Sequence, residues 1–360
     1  MLNCLSGRKF FGKVLAIICS AAILLPNAAY AATVTTWTDL ASDIALTGAT
    51  NTTTLTGNIE ADTTDSLGAQ GATALTITSD DAEATRAIIG DSYNTQGITV
   101  GAGQTLTLNN IVLNSLKDYA VDNQGTLIIQ GTSSIANSNL IDSQATKTGQ
   151  TTIADGVNLN MLEQTISQSS LTNNGNLTVT LDNMSIDNDI TNNGNIYVNG
   201  GTTAETRQTL NNNITGTGMT FFGPRSYENN FTEIAAGKTV ATNIQVYGLG
   251  TYYTSNVINN GTISGDVDIR VGGTLTSNLA NLTGSAIHNL GTLNLTGGTL
   301  NKAITDNNPN PLGTLNIQGE VINGGYNIGQ NKINIEQNQS LKTNADNLNI
   351  GNGIYNAGTL

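Results

Sequence analysis

Apolar and polar positions alternate in short runs along most of the chain, as in Leu75-Thr76-Ile77, Leu106-Thr107-Leu108, Leu177-Thr178-Val179 and Leu293-Asn294-Leu295. A period of two puts successive side chains on opposite faces, so each run reads as a strand with one buried face. Asn-Gly and Gly-Thr pairs separate the runs, and Asn and Gly favour turns and left-handed backbone. One segment departs from this pattern. Thr36-Trp37-Thr38-Asp39 has the form of a capping box, and Trp37, Leu40, Ala41 and Ile44 follow helical spacing. The pattern predicts a short helix followed by many strands.

The strands recur in a template. Ala120-Val121-Asp122-Asn123-Gln124-Gly125-Thr126-Leu127, Ala286-Ile287-His288-Asn289-Leu290-Gly291-Thr292-Leu293 and Gly353-Ile354-Tyr355-Asn356-Ala357-Gly358-Thr359-Leu360 are its three full copies. Looser copies carry Gly103, Gly175, Gly194, Gly237, Gly261 and Gly313, spaced at one or two steps of about 23 residues. A unit this small cannot bury its own apolar face and must stack on its neighbours, which makes an all-β solenoid. About 14 coils at ~4.8 Å each give a rod near ~70 Å long. Template Asn residues should stack as ladders at the turns, and template glycines should lie above one another. A short helix over the first coil would cover the open end of the core, giving a cap over residues 32–60 and repeats over 61–360.

Composition sharpens this picture. The chain has 54 Thr, 50 Asn and 40 Gly among 360 residues, an alphabet of strands and tight turns that disfavours helical bundles. With 38% apolar residues in alternating runs, disorder is excluded as well. The N-terminus differs. Arg8, Lys9 and Lys13 precede an apolar run from Val14 to Leu25, then Pro26 and Ala29-Tyr30-Ala31, the three parts of a secretory signal with cleavage between Ala31 and Ala32. The run is shorter than the roughly 20 residues of a membrane span. Cleavage would remove both cysteines, Cys4 and Cys19, and take the net charge from −13 to −16. The mature chain would then have no disulfide, no thiol chemistry and no membrane span. Its acidic surface argues against nucleic acid as a partner.

The helix with Trp37, then Leu75-Thr76-Ile77, Ala87-Ile88-Ile89-Gly90, Gly97-Ile98-Thr99-Val100 and the recurring Asn-x-Gly-Thr-Leu template, resembles the passenger of a bacterial autotransporter-type (type V secretion) adhesin. The resemblance covers roughly residues 33 to 360. It implies a right-handed parallel β-helix of the pectin-lyase-like class, displayed on the cell surface or released. It also implies binding to an extracellular carbohydrate or protein on host cells, matrix or other bacteria. The alternative on the same fold is a secreted polysaccharide lyase or glycoside hydrolase. Such passengers usually end in a membrane β-barrel, and none is visible here. The third template copy ends at Leu360 where earlier copies continue a strand, so the last coil, roughly 340–360, should show an uncapped edge and self-associate through it.

Candidate chemistry is sparse. A single histidine excludes two-histidine metal sites, and His288 occupies the variable template position also held by Asp122 and Tyr355, which reads as outward-facing. Gly237-Lys238-Thr239 lacks the first glycine of a P-loop, since position 232 is Thr232. No cofactor or metal is implied. The best catalytic candidates are Asp266, Asp268 and Arg270, alternating outward from Val267, Ile269 and Val271 on the core face. Their α-carbons fall about 7 Å apart, near the carboxylate separations of glycosidases. The signatures of the polygalacturonase group are missing, and acids beside an Arg on an exposed strand usually form a surface pair. Asp182, Asp187 and Asp189 read as turn formers.

Seven aromatics fall between 221 and 253: Phe221, Phe222, Tyr227, Phe231, Tyr247, Tyr252 and Tyr253, with Arg225 and Lys238 among them. They read either as a stack inside the coils or a loop packed on them, or as a sugar- or protein-binding patch centred on Phe221, Phe222, Arg225, Tyr227, Tyr252 and Tyr253. Thr-x-Thr pairs such as Thr76/Thr78 and Thr105/Thr107 have the form of an ice-binding rank. The uneven steps argue against a regular array, and strand propensity explains the pairs.

Overall fold

Thr36 opens the α-helix Trp37–Ile44 by accepting the Asp39 amide on its hydroxyl at 3.2 Å and donating to the Asp39 carboxylate at 2.7 Å. Trp37, Leu40 and Ile44 are buried on the face that covers the first coil. The same helix buries Asp43, whose carboxylate accepts from the Thr53 hydroxyl of that coil. The chain is described by a computed structural model over residues 29–61, 66–82, 84–91, 95–224, 228–250, 252–306 and 312–360.

Beyond the helix the chain winds into a parallel β-helix of about 14 coils. Strand pairings in its five sheets are parallel, and antiparallel contact among the described residues is limited to two isolated bridges, Gly201–Phe231 and Leu249–Tyr253. Each coil gives one strand to each of three faces. The coil with Thr126–Gln130, Ser134–Ala136 and Leu140–Ile141 feeds the eleven-, four- and six-stranded sheets in turn. Later coils place two faces in one sixteen-stranded sheet. These faces join because the long strand Ile328–Ile335 spans a bend, pairing Ile304 with its first half and Thr314–Ile317 with its second.

The interior is a set of apolar columns. Leu75, Leu106, Leu127, Leu171, Ile190, Ile214, Val240 and Ile263 lie in one, with only the buried Thr151 interrupting it. Each fully buried Leu or Ile contributes about 1.5–3 kcal/mol. Coil length varies from 17 residues, where Ile287 lies beside Ile304, to 31, where Ala74 lies beside Thr105.

The template marks a corner, and not one column as the sequence suggested. Gly125 leads from the six-stranded into the eleven-stranded sheet, whereas Gly291 joins two strands of the sixteen-stranded sheet. Thr105 lies beside Thr126, so Gly103, with φ 77°, sits one residue further back than Gly125. What the copies around Gly125, Gly175, Gly194 and Gly291 share is the Asn two residues before the glycine. Asn123, Asn173, Asn192 and Asn289 are buried and donate from Nδ2 to the carbonyls of Gln150, Asn195, Met219 and Thr314 in the following coil, at 2.9–3.0 Å. Asn173 also donates to Asn192 Oδ1 at 2.8 Å, the stacked ladder expected at these turns.

In the last coil, Leu348–Asn356 is paired on one edge with Ile328–Ile335, and Leu348, Ile350 and Ile354 are only half-buried. Among the described residues no helix is long and apolar enough to cross a membrane.

Candidate functional site

The outward face of the sixteen-stranded sheet brings Phe221, Asp268 and His288 into one line, with Asp266 and Arg270 at the ends of the Asp268 strand. Asn160, Thr178, Tyr197, Phe221, Gln245, Asp268, His288 and Thr305 form one outward column, each beside the next in successive coils. Two residues earlier on the first five strands, Asn158, Asn176, Asn195, Met219 and Asn243 form a second column. Alternation fixes both, because the residues between them, such as Leu177, Ile196 and Ile244, are buried.

One half of this face is built mainly from amides. Asn176 donates to Asn158 Oδ1, and Asn195 to Asn176 Oδ1, both at 2.8 Å, while Asn193 donates to Asn174 Oδ1 at 3.0 Å. Two amide ladders thus run side by side along the rod. They line a hollow of about 460 Å³ that continues to Thr217, Met219 and Asn243, with Asp155 at its rim. A second hollow of about 470 Å³ lies against Asn158 and Asn160, closed by Ser134, Asn137 and the 162–164 bend. A third, of about 220 Å³, opens between Asp182, Asn199, Gly200 and Glu228.

Aromatic residues rise between these hollows. Tyr197 and Phe221 stack with centroids 4.7 Å apart and planes at 11°, and Tyr247 meets Phe221 edge-on at 6.4 Å and 83°. Tyr247 lies over Gly223, where an added Cβ would come within 2.1 Å of its ring. Burial, then the neighbouring Tyr197, raises the Tyr247 phenol above its ordinary value. Phe222 points the other way and is fully buried. Tyr252 is 86% exposed beside the Leu249–Tyr253 bridge. Arg225 and Tyr227 lie outside the described residues. The expected patch therefore divides: Phe221 sits in an outward stack, Phe222 is core, and Tyr252 and Tyr253 belong to a loop. Tyr197 is the partner that sequence clustering missed, because it stands 24 residues before Phe221; coil spacing was the signal that could have found it.

The other half of the face is charged and internally paired. Asp268 is held by Arg270 at 2.7 Å and accepts from Gln245 at 2.9 Å. Asp266 Oδ1 accepts the Ser285 hydroxyl at 2.7 Å and the Ser285 and Ala286 amides at 2.9 and 3.0 Å. Bonding from the Ser285 hydroxyl leads the causes that hold its carboxyl below the ordinary range, whereas a general acid needs the opposite shift. Val271 is 45% exposed, not on the core face, because the strand ends at Ile269 and the chain turns at Gly272 with φ 77°. His288 Nδ1 is 2.9 Å from the Thr305 hydroxyl. Beyond Asp266, the buried Lys302 donates to the carbonyls of Leu282 (2.7 Å) and Gly284, and burial lowers its pKa.

The remaining sequence candidates take structural positions. Asp122 faces outward yet is buried, because Ser143 donates to it from both its amide (2.9 Å) and its hydroxyl (2.7 Å). Asp187 pairs with Lys147 at 3.1 Å, and Asp189 accepts from Asn213 at 2.8 Å. Ala31 and Ala32 lie inside the strand Ala29–Val34, paired with Thr52 and Thr53; the rest of the expected signal, residues 1–28, lies outside the described residues. Among the described residues no group of three or more His, Cys, Asp or Glu could hold a metal ion. No protein-family model matches the chain, and neither does any curated protein or solved structure.

Proposed function

We propose that this chain is the displayed rod of an exported, adhesin-like protein of the autotransporter-passenger type, with a pectin-lyase-like β-helix that binds its partner without chemistry. The outward face of the sixteen-stranded sheet carries this reading. The polar groups of its two larger hollows are mainly amides, whereas the acids best placed for catalysis are held by Arg270, Gln245, Ser285 and Ala286. A surface that must shift proton affinities for catalysis is built differently, with an acid whose charged form is disfavoured. Export rests on the three-part signal, with cleavage after Ala31 leaving Ala32 to Val34 to pair with the first coil. N-terminal sequencing of exported protein should begin at Ala32.

Beads coated with residues 32–360 test the binding function directly. They should attach to epithelial cells, extracellular matrix or bacterial cells above beads coated with an unrelated acidic protein. Attachment no greater than that control on all three surfaces refutes the reading.

A further inference from the structure

The two amide ladders have unused bonding capacity. An Asn amide offers two N–H donors and two lone pairs on its oxygen. Within the ladder, Asn176 spends one N–H on Asn158 and one lone pair on Asn195, leaving one of each. The strands that carry the two larger hollows, from Ser134–Ala136 through Asn158–Met161, Asn176–Thr180, Asn195–Asn199 and Met219–Phe222 to Asn243–Val246, span five inter-strand steps, roughly 24 Å along the rod. Among the described residues no Lys or Arg lines either hollow, and the acids there are Asp155 and Glu163.

We propose that an extended, uncharged polysaccharide lies along this trough, parallel to the rod axis. The inference rests on the adhesin reading and names its ligand class. Neighbouring hydroxyls on a sugar ring each donate and accept, which matches the paired donor and acceptor left on a ladder amide. An anionic polymer would approach a mature chain of net charge −16 without meeting a cation among the described residues of the trough. A polypeptide would need apolar recesses for side-chain anchors, and these hollows are lined mainly by Asn, Gly, Ser and Thr. The stacked Tyr197 and Phe221 rise beside the trough, where their ring edges can flank a sugar chain.

Affinity gel electrophoresis of the mature chain tests this, with a soluble mixed-linkage β-glucan, a galactomannan or polygalacturonate in the gel and collagen-coated wells as the protein arm. At least one neutral glycan should retard the chain, and polygalacturonate should not. Asn158→Asp with Asn243→Asp puts a charge at each end of the ladder region. Both carboxylates can still accept the bonds that Asn176 Nδ2 and the Asp266 amide now give. This pair should weaken retardation at least tenfold with circular dichroism and melting temperature unchanged; if it misfolds, exposed Asn160→Asp, which keeps its bond from the Leu162 amide, takes its place. The proposal is overturned if neither neutral glycan retards the chain, if polygalacturonate retards it more strongly, if the charged variants bind like the wild type, or if collagen binds and the charged variants abolish that binding. If beads still attach to cells while no neutral glycan binds, the ligand class is wrong and the adhesin reading stands. If beads fail on every surface, the adhesin reading itself has failed.

Discussion

The outward faces of the eleven-stranded and sixteen-stranded sheets arise from the same alternation and present different surfaces. On the first, Thr52, Thr76, Thr107, Thr152, Thr172, Thr191 and Thr215 form a single column, broken only by Ile128. The rank holds although the coils supplying it differ in length, 31 residues from Thr76 to Thr107 and 19 from Thr172 to Thr191, because the extra residues leave at the bends. β-Branched side chains with restricted χ1 make such a column even in height. On the second face the longer Asn side chains lean on one another, and hollows open between the ladders and the bends. The Thr face follows from strand propensity, while the amide face carries hollows and amides with unspent hydrogen-bonding capacity, the features on which the proposed ligand surface rests.

Both faces depend on the corners, so the largest effect should come from the buried template Asn. Asn289→Ala removes the amide donor to the Thr314 carbonyl and to Gln330 Oε1, and Asn123→Ala removes the donor to the Gln150 carbonyl and to Gln168 Oε1, which keeps the Thr151 hydroxyl, a loss of about 2–4 kcal/mol in each case. Asn356, at the same template position, is exposed, and Asn356→Ala should stay within about 0.5 kcal/mol. Urea unfolding compares the three, and equal losses would contradict the role given to the following coil.

A smaller effect should separate the faces themselves. Phe221→Ala removes the stack with Tyr197 and the edge contact with Tyr247, worth about 1–2 kcal/mol. Asp266→Ala should cost about 1 kcal/mol, because its brace on Ser285 and Ala286 is half exposed to water. Its folded pKa lies below the unfolded value. The stabilisation is therefore complete above the ordinary carboxylate range and is lost as pH falls through the folded pKa, so the variant should match the wild type in strong acid. Melting temperatures between pH 7 and pH 2 check this. Thr172→Ala should change stability by less than about 0.5 kcal/mol and leave bead attachment unaltered. Loss of attachment there would move the ligand surface to the Thr face.

Much of this was legible in the sequence. Alternation gave the core columns, the capping box gave the helix, and the template Asn and Gly marked corners. Which corner each copy marks was not legible, because it depends on how many bends precede it and coil length is uneven. The aromatic stack was half legible: Phe221 and Tyr247 fell in the cluster, but their neighbour Tyr197 belongs to the preceding coil and joins them only through register. The amide trough was missed. Its residues read as turn formers one at a time, and their shared surface exists only when the coils stack. Asp122 read as exposed because nothing local announces that Ser143, a coil away, folds over it.

On the proposed function this rod binds without cleaving. Incubation of the purified mature chain with polygalacturonate, mixed-linkage β-glucan and galactomannan, followed by assay for reducing and unsaturated sugar ends, tests it most directly. No release above a heat-denatured control is expected on any of the three. Sustained release that disappears in Asp268→Ala would contradict it and place a catalytic site on the charged half of the face.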